Sequence, residues 1–556
     1  MKYSLRTALF GVLLAALPIA QAADLLVTNV NGYTLDRQGK LQRFQALLAD
    51  HGKVVATGDT AALTRRAGAA KVIDGHGHTL LPGLIDAHGH VLELGYARNQ
   101  AELAGTASLD AALARVKAYA AAHPDAKWIT GSGWNQEIWK LGRFPTAKEL
   151  DAVVADRPVW LSRVDGHAAW ANSAAMQLAG ITKATPDPAG GRIERDADGT
   201  PNGVFVDGAT ELINAKLPAP TSQARIAALD TALAELASVG ITGVSDAGID
   251  LPTYLLYRQY ADAHKLTARI YAMIRDTGAD FDAISKSGPL LGYGNDFLTV
   301  RAVKLYADGA LGSRGAAMLA PYSDDPRNSG LLFLQPDALT AKISKAFGKG
   351  YQVGIHAIGD RANDEVLNSY AAAYKAHPAA LALRNRVEHA QIVSLQDIPR
   401  FVSLHLIASM QPTHATSDMN MAEDRIGHER IAGAYAWRRF LQQGTLIAGG
   451  SDFPVESPNP FYGLYSAVTR EDHQGQPPGG WYPGQDMTFI EALRAFTLDA
   501  AYAEHAETML GTLEPGKWAD FIVIDHDVVQ DPPGKIWSTK VLQTWVGGKQ
   551  VYAAHE

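Results

Sequence analysis

Eight short apolar runs recur between residues 79 and 452, and helix-length segments separate most of them. The runs are Thr79–His90, Gly240–Asp246, Ala268–Ile274, Val300–Tyr306, Gln352–His356, Arg386–His389, Ile407–Pro412 and Thr445–Asp452. Segments such as Ser222–Val239 and Gln335–Lys349 have the length of helices. Strands alternating with helices specify a parallel sheet, and eight such units favour a closed (β/α)8 TIM barrel. In that barrel the carboxyl ends of all eight strands share one rim, where loop and strand-end side chains build a site.

The flanks of this repeat differ from it. Asp24–Val30 and Gly52–Gly58 near the start, and Ala519–Asp525 and Val541–Gly548 near the end, read as strands bounded by turns. Neither flank can bury a core alone. The expectation is one small β-sandwich domain assembled from residues 23–78 and 508–556, with the barrel over residues 79–507. Within the barrel, residues 91–220 are rich in Trp, Gly and Pro and read as an inserted α+β subdomain. Long insertions at a barrel rim serve as lids or binding walls.

Lys2 and Arg6 precede the apolar stretch Ala8–Ala20, and Ala20-Gln21-Ala22 has the small residues of a cleavage site. The expectation is a signal peptide over residues 1–22, export to the periplasm or beyond, and a mature chain from about Ala23. The net charge of -8, with no run of Lys and Arg, argues against nucleic acid and against anionic membranes as partners. No later segment reads as a stable membrane insertion. Oligomerisation is left open. Cysteine is absent, so neither a disulfide framework nor a thiolate ligand is available. A metal site in this chain must use His, Asp, Glu or Lys.

The strand ends supply those residue types. His88 and His90 are two apart, and alternate residues of a strand face the same side. Lys304, His356, His389 and Asp452 end or nearly end four later runs. Each alone has a bland reading: a core histidine, half of an ion pair, or a helix cap before Phe453-Pro454. Six at corresponding positions of one repeated architecture point to a metal centre. His76 and His78 share the spacing of His88 and His90 but precede the apolar run, so they are expected in a turn at its other end.

Pro82-Gly83-Leu84-Ile85-Asp86-Ala87-His88-Gly89-His90, together with the later ligands, resembles the amidohydrolase superfamily. Arg163–Ser173, Val303–Arg314 and Ser451–Val455 resemble one branch of it, the amidohydrolase family 3 proteins similar to N-substituted formamide deformylase. The resemblance implies two divalent metal ions, zinc first among them. His88 and His90 would hold one with Asp452, and His356 and His389 the second. Lys304 matches the lysine that is N6-carboxylated in two-metal members. An unmodified ammonium has three donors and no acceptor, so it cannot ligate while protonated. A single-metal site with Lys304 as a bystander is the other possibility.

The implied reaction is hydrolysis of a non-peptide C–N amide bond of a small molecule by a metal-activated hydroxide. Asp452 would take a proton from that hydroxide and return it to the departing amine. An esterase, lactonase or cyclic amidase on the same fold is the alternative, and a non-catalytic binding protein ranks lower because all six positions are filled. Asp86 and Glu388 are candidates for orienting the histidines. Substrate contacts are expected from His167, as a donor to the developing oxyanion or as a structural turn residue, from an apolar wall of Trp134, Trp139 and Trp170, and from Arg314 as a carboxylate partner.

Overall fold

The computed structural model describes residues 23–554; the expected signal peptide lies outside them. Eight parallel strands stand in sequence order around the centre: β1 (Leu84–Gly89), β2 (Ile241–Ile249), β3 (Arg269–Arg275), β4 (Leu298–Tyr306), β5 (Gln352–Ala357), β6 (Arg386–His389), β7 (Ile407–Met410) and β8 (Ile447–Gly449). Nearly every residue of β1, β2, β5, β6, β7 and β8 is buried. This is what a parallel sheet covered by helices requires.

The ring closes between β8 and β1 through the residues just past the strands. Asp452 donates its N–H to His88 O at 2.7 Å, and His90 donates to Phe453 O at 2.8 Å. The buried carboxylate of Asp86 accepts the Ser451 hydroxyl at 2.6 Å and the His88 N–H at 3.0 Å. Gly450 is needed at this seam because a Cβ there would lie 2.7 Å from both Asp86 Oδ1 and His88 N. Asp86 is thus a clasp for the barrel seam and does not touch an imidazole.

The first apolar run is not one strand. Thr79–Pro82 pairs with Asn31–Leu35 and Phe521–Ile524 in a six-stranded sheet, and only Leu84–Gly89 joins the barrel. The chain changes sheets at Gly83. That sheet draws strands from both ends of the chain, as expected, and packs Phe521, Val523 and Trp545 against Leu25, Val27 and Leu47 of a four-stranded sheet. His76 lies exposed in the preceding turn.

The insertion is a six-stranded mixed sheet that begins at Ala101. The helix before it, Val91–Arg98, sends Val91, Leu92 and Leu94 into the barrel core beside helix Ser222–Ser238 and so belongs to the barrel. Among the described residues no helix is long and apolar enough to cross a membrane.

Candidate metal centre

The barrel rim brings five of the six predicted ligands into direct contact. His88 ends β1, and its Nε2 lies 3.0 Å from Lys304 Nζ of β4 and 3.6 Å from Asp452 Oδ1. His90 Nε2 is 3.1 Å from the same oxygen. His389 Nδ1 lies 4.0 Å from Asp452 Oδ2. One ligating atom each of His88, His389 and Asp452 falls within 4.8 Å of the others. The sixth, His356, reaches the group through its ring, whose centroid is 4.6 Å from that of His389.

The tautomers follow from the outer hydrogen bonds. His88 Nδ1 donates to Glu388 Oε2 at 2.6 Å, so its Nε2 lone pair faces the centre. His389 Nδ1 donates to Gln411 Oε1 at 2.9 Å, leaving Nε2 free. His356 Nε2 donates to Gly309 O at 3.3 Å and leaves Nδ1 free. Three neutral imidazoles therefore present lone pairs beside a carboxylate. His389 and Asp452 both sit at positive φ, 71° and 61°, a conformation uncommon for side-chain-bearing residues and one that concentrates at functional sites.

Electrostatics reinforce this protonation pattern. Burial, helped by Lys304, pushes the His88 imidazole down to about 4. Burial and His356 hold His389 well below its ordinary value. Burial alone would raise the Asp452 carboxyl, but His90, His88 and His389 outweigh it and hold the group well down. Burial pushes the Lys304 ammonium down to about 8 despite Glu388 and Asp452. The donor set of imidazole nitrogen and carboxylate oxygen, without sulfur, fits zinc, manganese or iron. Asp452 Oδ1 makes no well-directed hydrogen bond although it is buried, which is the condition of an acceptor awaiting a cation.

The sequence reading missed His414, which lies on the short helix Pro412–Asp418 after β7. Its buried Nε2 has no hydrogen-bond partner among the described residues and lies 3.8 Å from Asp452 Oδ2. His167 is on the inserted subdomain, and its ring lies 4.9 Å from that of His356.

Three tryptophans and one arginine depart from expectation. Trp134, Trp139 and Trp170 pack on one another with centroids 6.2 to 6.5 Å apart in the core of the subdomain. Their Nε1 groups bond to the carbonyls of Leu161, Thr106 and Thr146. They are core, and none lines the cavity. Arg314 turns away to pair with Asp324 at 2.8 Å. The rim centre opens into a cavity of about 1100 Å³, walled by both barrel and insertion; His90, Lys304, His356, His389 and Asp452 lie at it, with His167 of the insertion beside His356.

The sequence profile described as the amidohydrolase family matches residues 71–552. The chain belongs to the amidohydrolase family. It is similar to Protein LONG AFTER FAR-RED 3 of Arabidopsis thaliana, 34% identical over 96% of this chain and 92% of that one. It is also similar to the N-substituted formamide deformylase of Arthrobacter pascens, 28% identical over 95% of this chain and 98% of that one. Among solved structures, an uncharacterized metal-dependent hydrolase from Pyrococcus horikoshii OT3 superposes with a TM-score of 0.73 at 27% identity, covering 92% of this chain and 99% of that one. The family and these neighbours make this amidohydrolase a metal-dependent hydrolase.

Proposed function

We propose that this amidohydrolase cleaves a non-peptide amide C–N bond of a small molecule. The observation that carries the reading is the convergence of His88, His90, Lys304, His389 and Asp452 at the cavity. His88, His90, His356, His389 and Asp452 would hold two divalent ions, zinc being the first choice, with Lys304, as a carbamate, supplying further oxygen donors. Divalent ions bound there supply Lewis acidity toward the carbonyl and acidify the attacking water.

The chain's own groups then have defined tasks. Asp452 accepts the proton of the attacking water at a carboxylate oxygen. As the C–N bond breaks, the same proton passes to the leaving nitrogen, so the amine departs neutral. His167, as the imidazolium whose Nδ1–H is held by Asp207, donates a hydrogen bond from Nε2 to the carbonyl oxygen as charge gathers there. Lys304 forms its carbamate when the neutral amine adds carbon dioxide and loses a proton. The deformylase relative, whose name specifies an N-substituted formamide, supports an amide as the substrate.

The wall also speaks to substrate charge. Its arginines are engaged: Arg98 with Glu235, Arg163 with Asp165 and Arg275 with Glu93. Glu211, Asp418 and Glu456 line it and, among the described residues, form no salt bridge. Neutral or amine-bearing amides suit this wall better than carboxylates. The test is a panel of N-substituted formamides, N-acyl amines, N-acyl amino acids, esters and lactones with zinc- or manganese-loaded protein. Turnover of neutral amides is expected, lost in Asp452→Asn. Turnover of esters or lactones alone would overturn the reading, as would near-normal activity of that variant. The leader at residues 1–22 supports export, which N-terminal sequencing of the secreted fraction checks: a chain starting near Ala23 is expected.

A further inference from the structure

We infer that Asp207 is the positioning residue for His167, so that the inserted subdomain brings an aimed histidine–carboxylate pair to the reaction centre. The inference rests on the reading of His167 as the donor to the substrate carbonyl.

Sequence and pairing place the two residues together. Strands Ala168–Ala171 and Pro201–Asp207 run antiparallel with Ala168 opposite Val206, which leaves His167 and Asp207 facing each other just beyond the pair. The Asp207 N–H donates to His167 O at 2.8 Å. His167 Nδ1 donates to Asp207 Oδ1 at 2.9 Å, so the opposite edge of the imidazole, Nε2, is not engaged by the carboxylate. The ring lies between Phe333, stacked at 6.2 Å, and His356 at 4.9 Å. The bond to Asp207 fixes the ring plane and keeps one proton on Nδ1, so Nε2 donates to the carbonyl in the doubly protonated ring, for which Asp207 is the counter-charge.

Three features show that the barrel is shaped around this carboxylate. The Asp207 side chain is fully buried, and its Oδ2 makes no hydrogen bond among the described residues. Two glycines of the loop after β4 make room for it: a Cβ on Gly309 would lie 2.6 Å from its oxygens, and one on Gly315 would lie 2.3 Å from Oδ2. The Asp207 backbone is held at φ 51°, ψ -125°, a conformation unfavourable for an L-residue that persists where the surroundings enforce it. A carboxylate that served only to dock the subdomain would be expected to meet a cation of the barrel. Asp207 meets a histidine of its own subdomain, at the wall of the cavity.

The decisive experiment compares Asp207→Asn, His167→Gln and the double variant in the zinc-loaded protein, with an N-substituted formamide as probe. A crystal structure of zinc-loaded Asp207→Asn accompanies the kinetics. Asp207→Asn is expected to lower kcat by about tenfold to a hundredfold with little change in KM, the range for outer carboxylates that orient functional histidines. It should add no further loss in the His167→Gln background, because the two act as one unit. Its structure should show the His167 ring displaced from its place beside His356. Gly309→Ala, which drives a methyl into the carboxylate, should lower kcat in the same way. Unchanged kcat in Asp207→Asn alongside an impaired His167→Gln would overturn the inference, as would losses that multiply in the double variant. If the probe is not turned over, the crystal structure decides, and a His167 ring still in place overturns it. Full activity of His167→Gln with a displaced ring in Asp207→Asn would instead remove the donor reading and leave the positioning intact.

Discussion

Glu388 accepts a hydrogen bond of 2.6 Å from His88 Nδ1 while its other oxygen faces Arg386 Nε at 2.7 Å. All three side chains are fully buried. Burial opposes an ionised carboxylate here, but Arg386 and His88 outweigh it and hold Glu388 far below the usual carboxylate range. The barrel interior therefore carries a fixed negative charge whose one task toward the rim is to keep the His88 proton on Nδ1. Arg386 is itself anchored by Ser409 Oγ at 2.8 Å and Ser245 Oγ at 3.1 Å, and it also donates to Ala87 O. The aim of a rim histidine is thus set from the middle of the barrel.

Replacing Glu388 by Gln removes that charge with little change in volume. Zinc affinity should fall by about 10–100-fold, the usual cost of losing the partner that orients a ligating histidine. Competition titration against a chelator with a zinc-sensitive dye would measure it. Affinity unchanged within twofold would mean that His88 is not a ligand or that its tautomer is set elsewhere.

Lys304 Nζ, 3.0 Å from His88 Nε2, faces a lone pair that a metal would otherwise use. A bare ammonium at this position would compete with a cation, whereas a carbamate would offer it oxygen donors. Lys304→Ala should bind fewer ions per chain and lose activity, and short carboxylic acids added to the medium should restore part of both. Isotopically labelled bicarbonate should exchange into the wild-type protein and give a carbamate signal that the variant lacks. Wild-type ion content in the variant would rule out the ligating role.

Trp134→Ala separates packing from substrate contact. The indole is fully buried between Trp139 and Trp170, and truncating a buried Trp or Phe to Ala costs about 3–5 kcal/mol. The subdomain should unfold at lower denaturant concentration, while Trp134→Phe should lose less than half as much. A selective rise in KM with unchanged stability would restore the binding role that the structure denies.

The strand-end candidates were legible because each follows an apolar run, and the period of a strand and the repeat of the barrel together dictate where such residues go. His414 was not legible. It comes one short turn after β7, on a helix, where a local pattern of Pro-Thr-His looks like any helix start. Asp207 was equally hidden, since Val-Phe-Val-Asp-Gly is an ordinary strand end until the partner strand carrying His167 is placed beside it. The tryptophans misled because composition shows that a segment has large aromatics but not which side of its sheet they face. Thr79–His90 misled in another way: it is continuous in β character, and nothing local marks Gly83 as the point where one sheet hands over to another.

Glu504 gives the pH dependence of stability a defined sign. It is buried beneath the barrel network and accepts from Ser245 Oγ at 2.9 Å. Burial pushes its carboxyl up to about 8, against Ser245 and Arg386. The folded chain therefore keeps the proton over a range in which the unfolded chain, with an ordinary carboxyl, has released it. Stability from this group is fully present below about pH 4.5, falls as pH rises, and stops falling near pH 8. Glu504→Gln keeps an acceptor for Ser245 and cannot ionise. The difference in unfolding free energy between variant and wild type should shift in favour of the variant as pH rises from 5 to 8, by on the order of 1 kcal/mol per pH unit. Urea titrations of both proteins across that range measure the slope directly. A difference that stays flat, or that favours the wild type increasingly at high pH, would show that Glu504 is already ionised in the folded barrel, with Arg386 as its counter-charge.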